Sequence, residues 1–177
     1  MLWYPDETIQ HAGIVTGLGG YAGHSHKYKK KGGSGYLFRT STVQDFSGVT
    51  GACLLVKTAV YDEMHGLDEQ FAVAFNDVDF CLRVRDAGYR IAWTPYAELI
   101  HYESKSRGGD EKDPVKAARF AAEQQRLYTI HGKENILDDP YYNPNLTRDR
   151  EDFSESDDLR RLKEGRVTVR FRGGTLQ

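Results

Sequence analysis

The apolar run Phe71-Ala72-Val73-Ala74-Phe75 passes directly into Asn76-Asp77-Val78-Asp79-Phe80-Cys81-Leu82-Arg83, and this junction constrains the fold more than any other stretch of the chain. Apolar residues at Val78, Cys81, Leu82 and Val84 recur at helical spacing, so a helix beginning near Asn76 buries one face, with Gly88 just past its end. Carboxylates in its first turn lie where the helix dipole favours negative charge. Asp79 and Arg83 stand four residues apart and can pair on one face, worth a few tenths of a kcal/mol if exposed. Asp77 lies outside that pairing, and a junction of this kind can aim such a carboxylate into a cleft.

Around this helix the chain alternates strand and helix signals from 48 to 131, which argues for an α/β layer structure. Leu2-Trp3-Tyr4, the turn signal Pro5-Asp6-Glu7 and the β-branched stretch Thr8–Thr16 predict a hairpin. The glycine-rich segment 17–35 reads as loop. Gly48–Lys57 reads as a turn feeding a buried strand, and Thr58 as the cap of a short helix that Gly66 ends. Short strands are expected at 90–94 and 98–102. Asp113-Pro114 opens a third helix that stops near Gly132. Beyond it, 138–158 is rich in Asp, Asn, Pro and Tyr and predicts an extended surface segment, followed by a short helix over 157–164 and a strand over 167–171.

With 177 residues the chain suits one sizeable domain, and its net charge of −2 gives no global field toward nucleic acid or membrane. The dense basic patch His26-Lys27-Tyr28-Lys29-Lys30-Lys31 runs into Gly32-Gly33-Ser34-Gly35 and reads as the solvated tip of a mobile loop that could touch donor or lipid phosphate. Cys53 and Cys81 sit in apolar runs without metal-ligand spacing and read as buried free thiols, which favours a reducing cytoplasm. Met1–Asp6 carries no signal-peptide pattern, and no run is long enough to span a bilayer.

The segment from Val49 to Gly108 resembles the acceptor-side half of family 2 glycosyltransferases, the inverting enzymes of the GT-A fold. The residues that carry the resemblance are Thr50-Gly51-Ala52-Cys53-Leu54-Leu55-Val56, Gly66-Leu67-Asp68-Glu69-Gln70-Phe71, Asn76-Asp77-Val78-Asp79, Ala87-Gly88-Tyr89-Arg90 and Ile100-His101, in family order. Ile9-Gln10-His11-Ala12-Gly13 and Asp139-Pro140-Tyr141-Tyr142-Asn143-Pro144 are similar to flanking segments of bacterial members.

The resemblance implies a partial GT-A-like mixed sheet with flanking helices, lacking the N-terminal nucleotide-binding half. Residues 1–132 would be the acceptor-side half and 133–177 an extension wrapped on it. It implies transfer of a hexosyl-type sugar from a nucleotide sugar to a saccharide or other hydroxyl acceptor in bacterial polysaccharide or glycoconjugate synthesis. The intact protein would be cytoplasmic or peripheral to the inner membrane face, and this stretch alone inactive. Asp77 would be the catalytic base; the family's Glu before it is Asn76 here, which leaves the base in place and moves acceptor positioning onto an amide. Gly51 and Ala52 are assigned to substrate binding, and Arg107 or Lys105 to donor phosphates. His101 would join carboxylates around a divalent Mn or Mg ion, though the carboxylates it would work with are missing from this chain. Asp77-Val78-Asp79 is not read as the metal motif of that fold, because it leads directly into the helix.

Two readings of other classes stand beside this one. A non-catalytic module could recognise carbohydrate or a partner with the same surface. His11, His24 and His26 could instead hold zinc for hydrolysis, although no cysteine or carboxylate cluster supports them. A sheet missing its first half would also leave an unpaired edge, which predicts self-association.

Overall fold

The computed structural model describes residues 1–102, 113–157, 169–171 and 174–176. In chain order the elements are β1 (Leu2–Trp3), β2 (Ile9–His11), β3 (Ile14–Thr16), β4 (Ala22–His24), β5 (Gln44–Asp45), α1 (Thr58–Glu63), α2 (Asn76–Asp86), β6 (Ala92–Trp93), β7 (Leu99–Ile100), α3 (Pro114–His131), α4 (Lys133–Leu137), β8 (Val169–Phe171) and β9 (Gly174–Leu176). Single 3-10 turns occupy Leu18–Gly20, Tyr36–Phe38 and Gly51–Cys53. The result is a mixed α/β fold in which small sheets are flanked by helices. Among the described residues no Rossmann-like nucleotide-binding half is present.

The expected hairpin forms because Asp6 closes its turn, accepting from the Thr8 hydroxyl at 2.7 Å and the Thr8 N–H at 3.1 Å. β1 then pairs antiparallel with β2 and parallel with β7, giving the mixed order β2-β1-β7. The segment 17–35 is not all loop. Ala22–His24 pairs antiparallel with β3, so the glycines there serve turns around a strand. The alternation predicted at 90–102 yields the shorter strands β6 and β7, with β6 on β5.

α2 begins and ends where its sequence says it should, with Gly88 at φ +89° past its end. It lies between two apolar clusters. Phe80, Cys81 and Val84 pack with Trp3, Ile9, Phe46 and Trp93, while Val78 and Leu82 pack with Phe75, Leu127 and Ile136. A helix buried on both sides is fixed in rotation, and that fixes where its first turn points.

Three expectations are corrected. Leu54–Val56 is not a buried strand: Leu55 is 98% exposed, because no strand among the described residues takes its backbone N–H and C=O groups. Thr58 is the first helical residue, and Lys57 holds the cap position without a side-chain cap bond. Cys53 is exposed; Cys81 is buried, and burial pushes its thiol up to about 12.

α3 starts on Asp113, whose carboxylate accepts from the N–H groups of Val115 and Lys116, and stops at Gly132. The segment from 138 runs through successive turns, and where the sequence predicted an extended course over the surface it inserts Tyr142, Leu146 and Phe153 into the first cluster. Asp139 is buried with them and accepts from the Thr16 N–H at 2.7 Å. The strand expected over 167–171 is present as β8, paired with β9. The helix expected over 157–164 lies outside the described residues. Among the described residues no helix is long and apolar enough to cross a membrane.

Candidate active site

The head of α2 is set by a strained residue. Phe75, the cap residue, has φ +64°, a left-handed conformation that a bulky side chain rarely adopts. Its ring is held between Tyr21 and Phe120, at centroid distances of 5.4 and 5.1 Å. The two residues before it are braced by Glu123 of α3, buried, whose carboxylate accepts from the Val73 N–H at 3.2 Å and the Ala74 N–H at 2.7 Å. The sharp turn into the helix is therefore held from the side by α3.

Asp77 emerges from this turn partly exposed. Its Oδ2 accepts from the Gly51 N–H at 2.8 Å, and its Oδ1 from the Val78 N–H at 2.9 Å. Asn76 Oδ1 accepts from the Asp77 N–H at 2.7 Å. The partner turn is shaped by Thr50, whose hydroxyl accepts from the Ala52 N–H. Gly51 and Ala52 are exposed and lie beside the carboxylate. Four sequence-predicted residues, Asp77, Asn76, Gly51 and Ala52, are thus brought to one place.

Behind the turn sits His11, buried, with Nε2 3.4 Å from the Thr50 N–H and 3.3 Å from the Gly13 N–H. Accepting at Nε2 places its proton on Nδ1, which then donates to His24 Nδ1 at 2.9 Å. Burial, and then the neighbouring His24, hold its pKa well below the usual imidazole value, so it is neutral at pH 7. Through Thr50–Gly51 this pair backs the turn that grips Asp77. The sequence offered His11 a chemical role within the zinc reading, not this one. His26 does not join the pair: its Nε2 accepts from the Tyr36 N–H at 3.0 Å instead.

His101 is placed elsewhere on the sheet. Its N–H donates to the Trp3 carbonyl at 2.9 Å, which continues the β7–β1 ladder and sets it at the Tyr4 end of β1, whereas His11 is in register with Leu2. Its Nδ1 is buried without a partner among the described residues. That nitrogen could supply one metal ligand, but no group of three or more His, Cys, Asp or Glu side chains gathers anywhere among the described residues. One imidazole does not hold Mn²⁺ or Mg²⁺, so the described residues do not make up a divalent-cation site. Arg107 and Lys105 lie outside the described residues.

The residues that sequence reasoning missed are those that position the turn. Glu123 and His131 lie on the same face of α3 as Phe120 and Leu127, and a carboxylate within an apolar stripe was the available signal. Asp79 pairs with Arg83 as expected, but it is buried and also bonded to His131, so it is a clamp between helices and not a surface pair.

Comparison with known proteins gives the arrangement a context. No family model matches the sequence, and no solved structure matches it. The chain is 35% identical over 147 residues to the O-antigen biosynthesis protein RfbC of Myxococcus xanthus, covering 82% of this chain and 11% of that protein. It is 32% identical over 80 residues to an N-acetylglucosaminyl-diphospho-decaprenol L-rhamnosyltransferase of Mycobacterium tuberculosis, 45% of this chain and 24% of that enzyme. The chain is a distant, partial homologue of family 2 glycosyltransferase-like proteins. The chain is also 49% identical over 153 residues to the uncharacterized protein y4gI of Sinorhizobium fredii, 86% of this chain and 17% of that protein. It therefore spans less than a quarter of the length of each of these relatives.

Proposed function

We propose that residues 1–132 are the acceptor-side half of a GT-A-like domain, that 133–177 are an extension carried on it, and that the polypeptide containing them transfers a sugar from a nucleotide-sugar donor to a hydroxyl acceptor with inversion. The supporting observation is Asp77, a partly exposed carboxylate fixed at the head of a rigid helix beside the exposed Gly51 and Ala52. The O-antigen and rhamnosyltransferase relatives support bacterial polysaccharide or glycoconjugate synthesis, with a lipid-linked saccharide as one acceptor class.

In this reading the acceptor hydroxyl lies over Gly51–Ala52 and hydrogen-bonds to Asp77. Each carboxylate oxygen already accepts one backbone N–H, and each has a further lone pair for the incoming hydroxyl. As the acceptor oxygen forms its bond to the anomeric carbon, the bond to the leaving nucleotide breaks on the opposite side and Asp77 takes the proton. The hydroxyl becomes acidic only as the new bond forms, so the base acts in the transition state. The amide of Asn76, beside the base, takes part in positioning the acceptor. Arg107 and His101 belong to the donor side of the same proposal, with a divalent cation offsetting diphosphate charge when bound. Self-association follows from the same reading, because Leu54–Val56 pairs with no strand among the described residues; sedimentation at rising concentration tests it.

The deciding experiment compares wild type and Asp77→Asn in the polypeptide that carries these residues, with radiolabelled nucleotide sugars and saccharide acceptors. Loss of turnover by about 10²–10⁴-fold with donor affinity retained is expected. Full turnover in Asp77→Asn overturns the base assignment. Saccharide binding without turnover in either protein makes this a recognition module.

A further inference from the structure

Residues 27–44 contain five basic side chains and no acidic one, in a chain whose net charge is −2. Within this stretch Leu37 and Phe38 stand 75% and 65% exposed, and Tyr28 is exposed as well. Two adjacent large apolar side chains in water are unfavourable, and here their backbone adds to the penalty. Leu37 has φ +46° and Phe38 φ +61°, conformations that bulky residues rarely hold.

The segment is anchored beyond its glycines. Tyr36 points inward and stacks on Phe153, and its N–H is bonded to His26. The Arg39 guanidinium lies over the Phe46 and Phe153 rings, at 4.8 and 5.4 Å from their centroids. Thr40 Oγ1 donates to the Gly33 carbonyl at 2.8 Å. The tip is thus pinned on both flanks, and what the pinning displays is Leu37 and Phe38.

The lysines precede this tip in the chain, and one of them reaches its base. Lys29 Cε lies 3.8 Å from where a Cβ would stand on Gly33, the residue that Thr40 grips. Lys31 is paired with Glu98, whereas Lys29 and Lys30 are exposed and make no ion pair among the described residues. An apolar point flanked by lysines matches one surface in particular, a bilayer whose anionic headgroups meet the ammonium groups while the apolar side chains enter the headgroup–acyl boundary.

We propose that Leu37 and Phe38, with Lys27, Lys29 and Lys30, form a docking tip for an anionic lipid bilayer. Sugar transfer to a lipid-linked acceptor would give this contact a purpose, but the tip rests on its own geometry and is tested without any transfer assay.

The test is co-sedimentation of the 177-residue protein with phosphatidylglycerol–phosphatidylcholine vesicles and with phosphatidylcholine vesicles alone. Binding to the anionic vesicles, weakened by salt and absent on the neutral ones, is expected. Leu37→Ser with Phe38→Ser, and separately Lys29→Glu with Lys30→Glu, should each lower the bound fraction about tenfold. All four side chains are exposed, so the variants should melt as wild type does, which separates lost docking from lost folding. Failure to bind anionic vesicles overturns the proposal. So does binding that neither pair of substitutions reduces, or capture by neutral vesicles to the same extent.

Discussion

His131, in the last turn of α3, places its Nε2 2.8 Å from Oδ1 of Asp79 in the first turn of α2. The other oxygen of Asp79 accepts from Arg83 Nη2 at 2.7 Å and Nε at 3.0 Å, and Arg83 Nη2 also donates to the Gly66 carbonyl at 2.9 Å just beyond α1. One buried carboxylate therefore ties three helical segments together. Burial by itself would raise the Asp79 pKa, but the bonds from His131 and Arg83 outweigh it and hold the group below its usual value. Three strong donors make the ion tolerable there, and removing one leaves the charge undersupplied.

His131→Ala should accordingly lower stability by about 2 kcal/mol in urea unfolding at pH 7. The loss should be coupled to Asp79. In a double-mutant cycle with Asp79→Ala, the two losses should fall short of additivity by about 1 kcal/mol or more. Additive losses would mean that His131 acts through packing alone.

Glu123 does comparable work about two turns earlier along α3, accepting from the consecutive N–H groups of Val73 and Ala74. Glu123→Ala leaves two partly buried donors unpaired and should cost about 2 kcal/mol. Glu123→Gln retains one acceptor oxygen and should recover part of that. The consequence for function is local, since these residues lead into the strained Phe75. Hydrogen exchange at Val73 and Ala74 should accelerate in Glu123→Ala by more than it does in the core of α2. Equal acceleration at both would show that the bond contributes to global stability without bracing the turn.

Local periodicity made much of this legible. The limits of α2 and α3 followed from apolar spacing, from Gly88 and from the Asp113-Pro114 cap, because those signals lie within a few residues of the structure they dictate. The resemblance assigned Asn76, Asp77, Gly51 and Ala52 separately to the site, and the Gly51–Asp77 hydrogen bond that joins the two pairs is a contact between distant segments. What stayed hidden depends on contacts between distant segments. Ala22–His24 is a strand because β3 presents a partner, and Leu54–Val56 is not one because no described strand does. The meeting of His11 with His24, and of Glu123 with the turn before α2, requires the whole chain to be folded. The anchoring that flanks the lysine-rich segment was hidden for the same reason, because Tyr36, Arg39 and His26 find their ring partners only in three dimensions.

That bracing carries a pH dependence of its own. His26 is buried, stacked on Phe153 at 4.4 Å, with Nε2 accepting from the Tyr36 N–H and Nδ1 donating to Ser25 Oγ at 2.6 Å. Burial foremost, then the charges of Lys29 and Arg39, lower its pKa from 6.5 to about 4, with Asp152 opposing them. Above pH 6.5 the ring is neutral whether the chain is folded or not, and its contribution is fully present. Between 6.5 and about 4 the unfolded chain takes up a proton that the folded one refuses, so stability falls as pH falls. At pH 5 the loss from His26 amounts to about 2 kcal/mol. His11, also buried and lowered, acts with the same sign in this window. Wild type should therefore lose more than His26 alone accounts for between pH 7 and pH 5. His26→Gln, although less stable at pH 7, should lose about 2 kcal/mol less over the same interval. Urea unfolding at the two pH values reads the difference, and identical slopes for wild type and variant would show that His26 is protonated in the folded chain at pH 5.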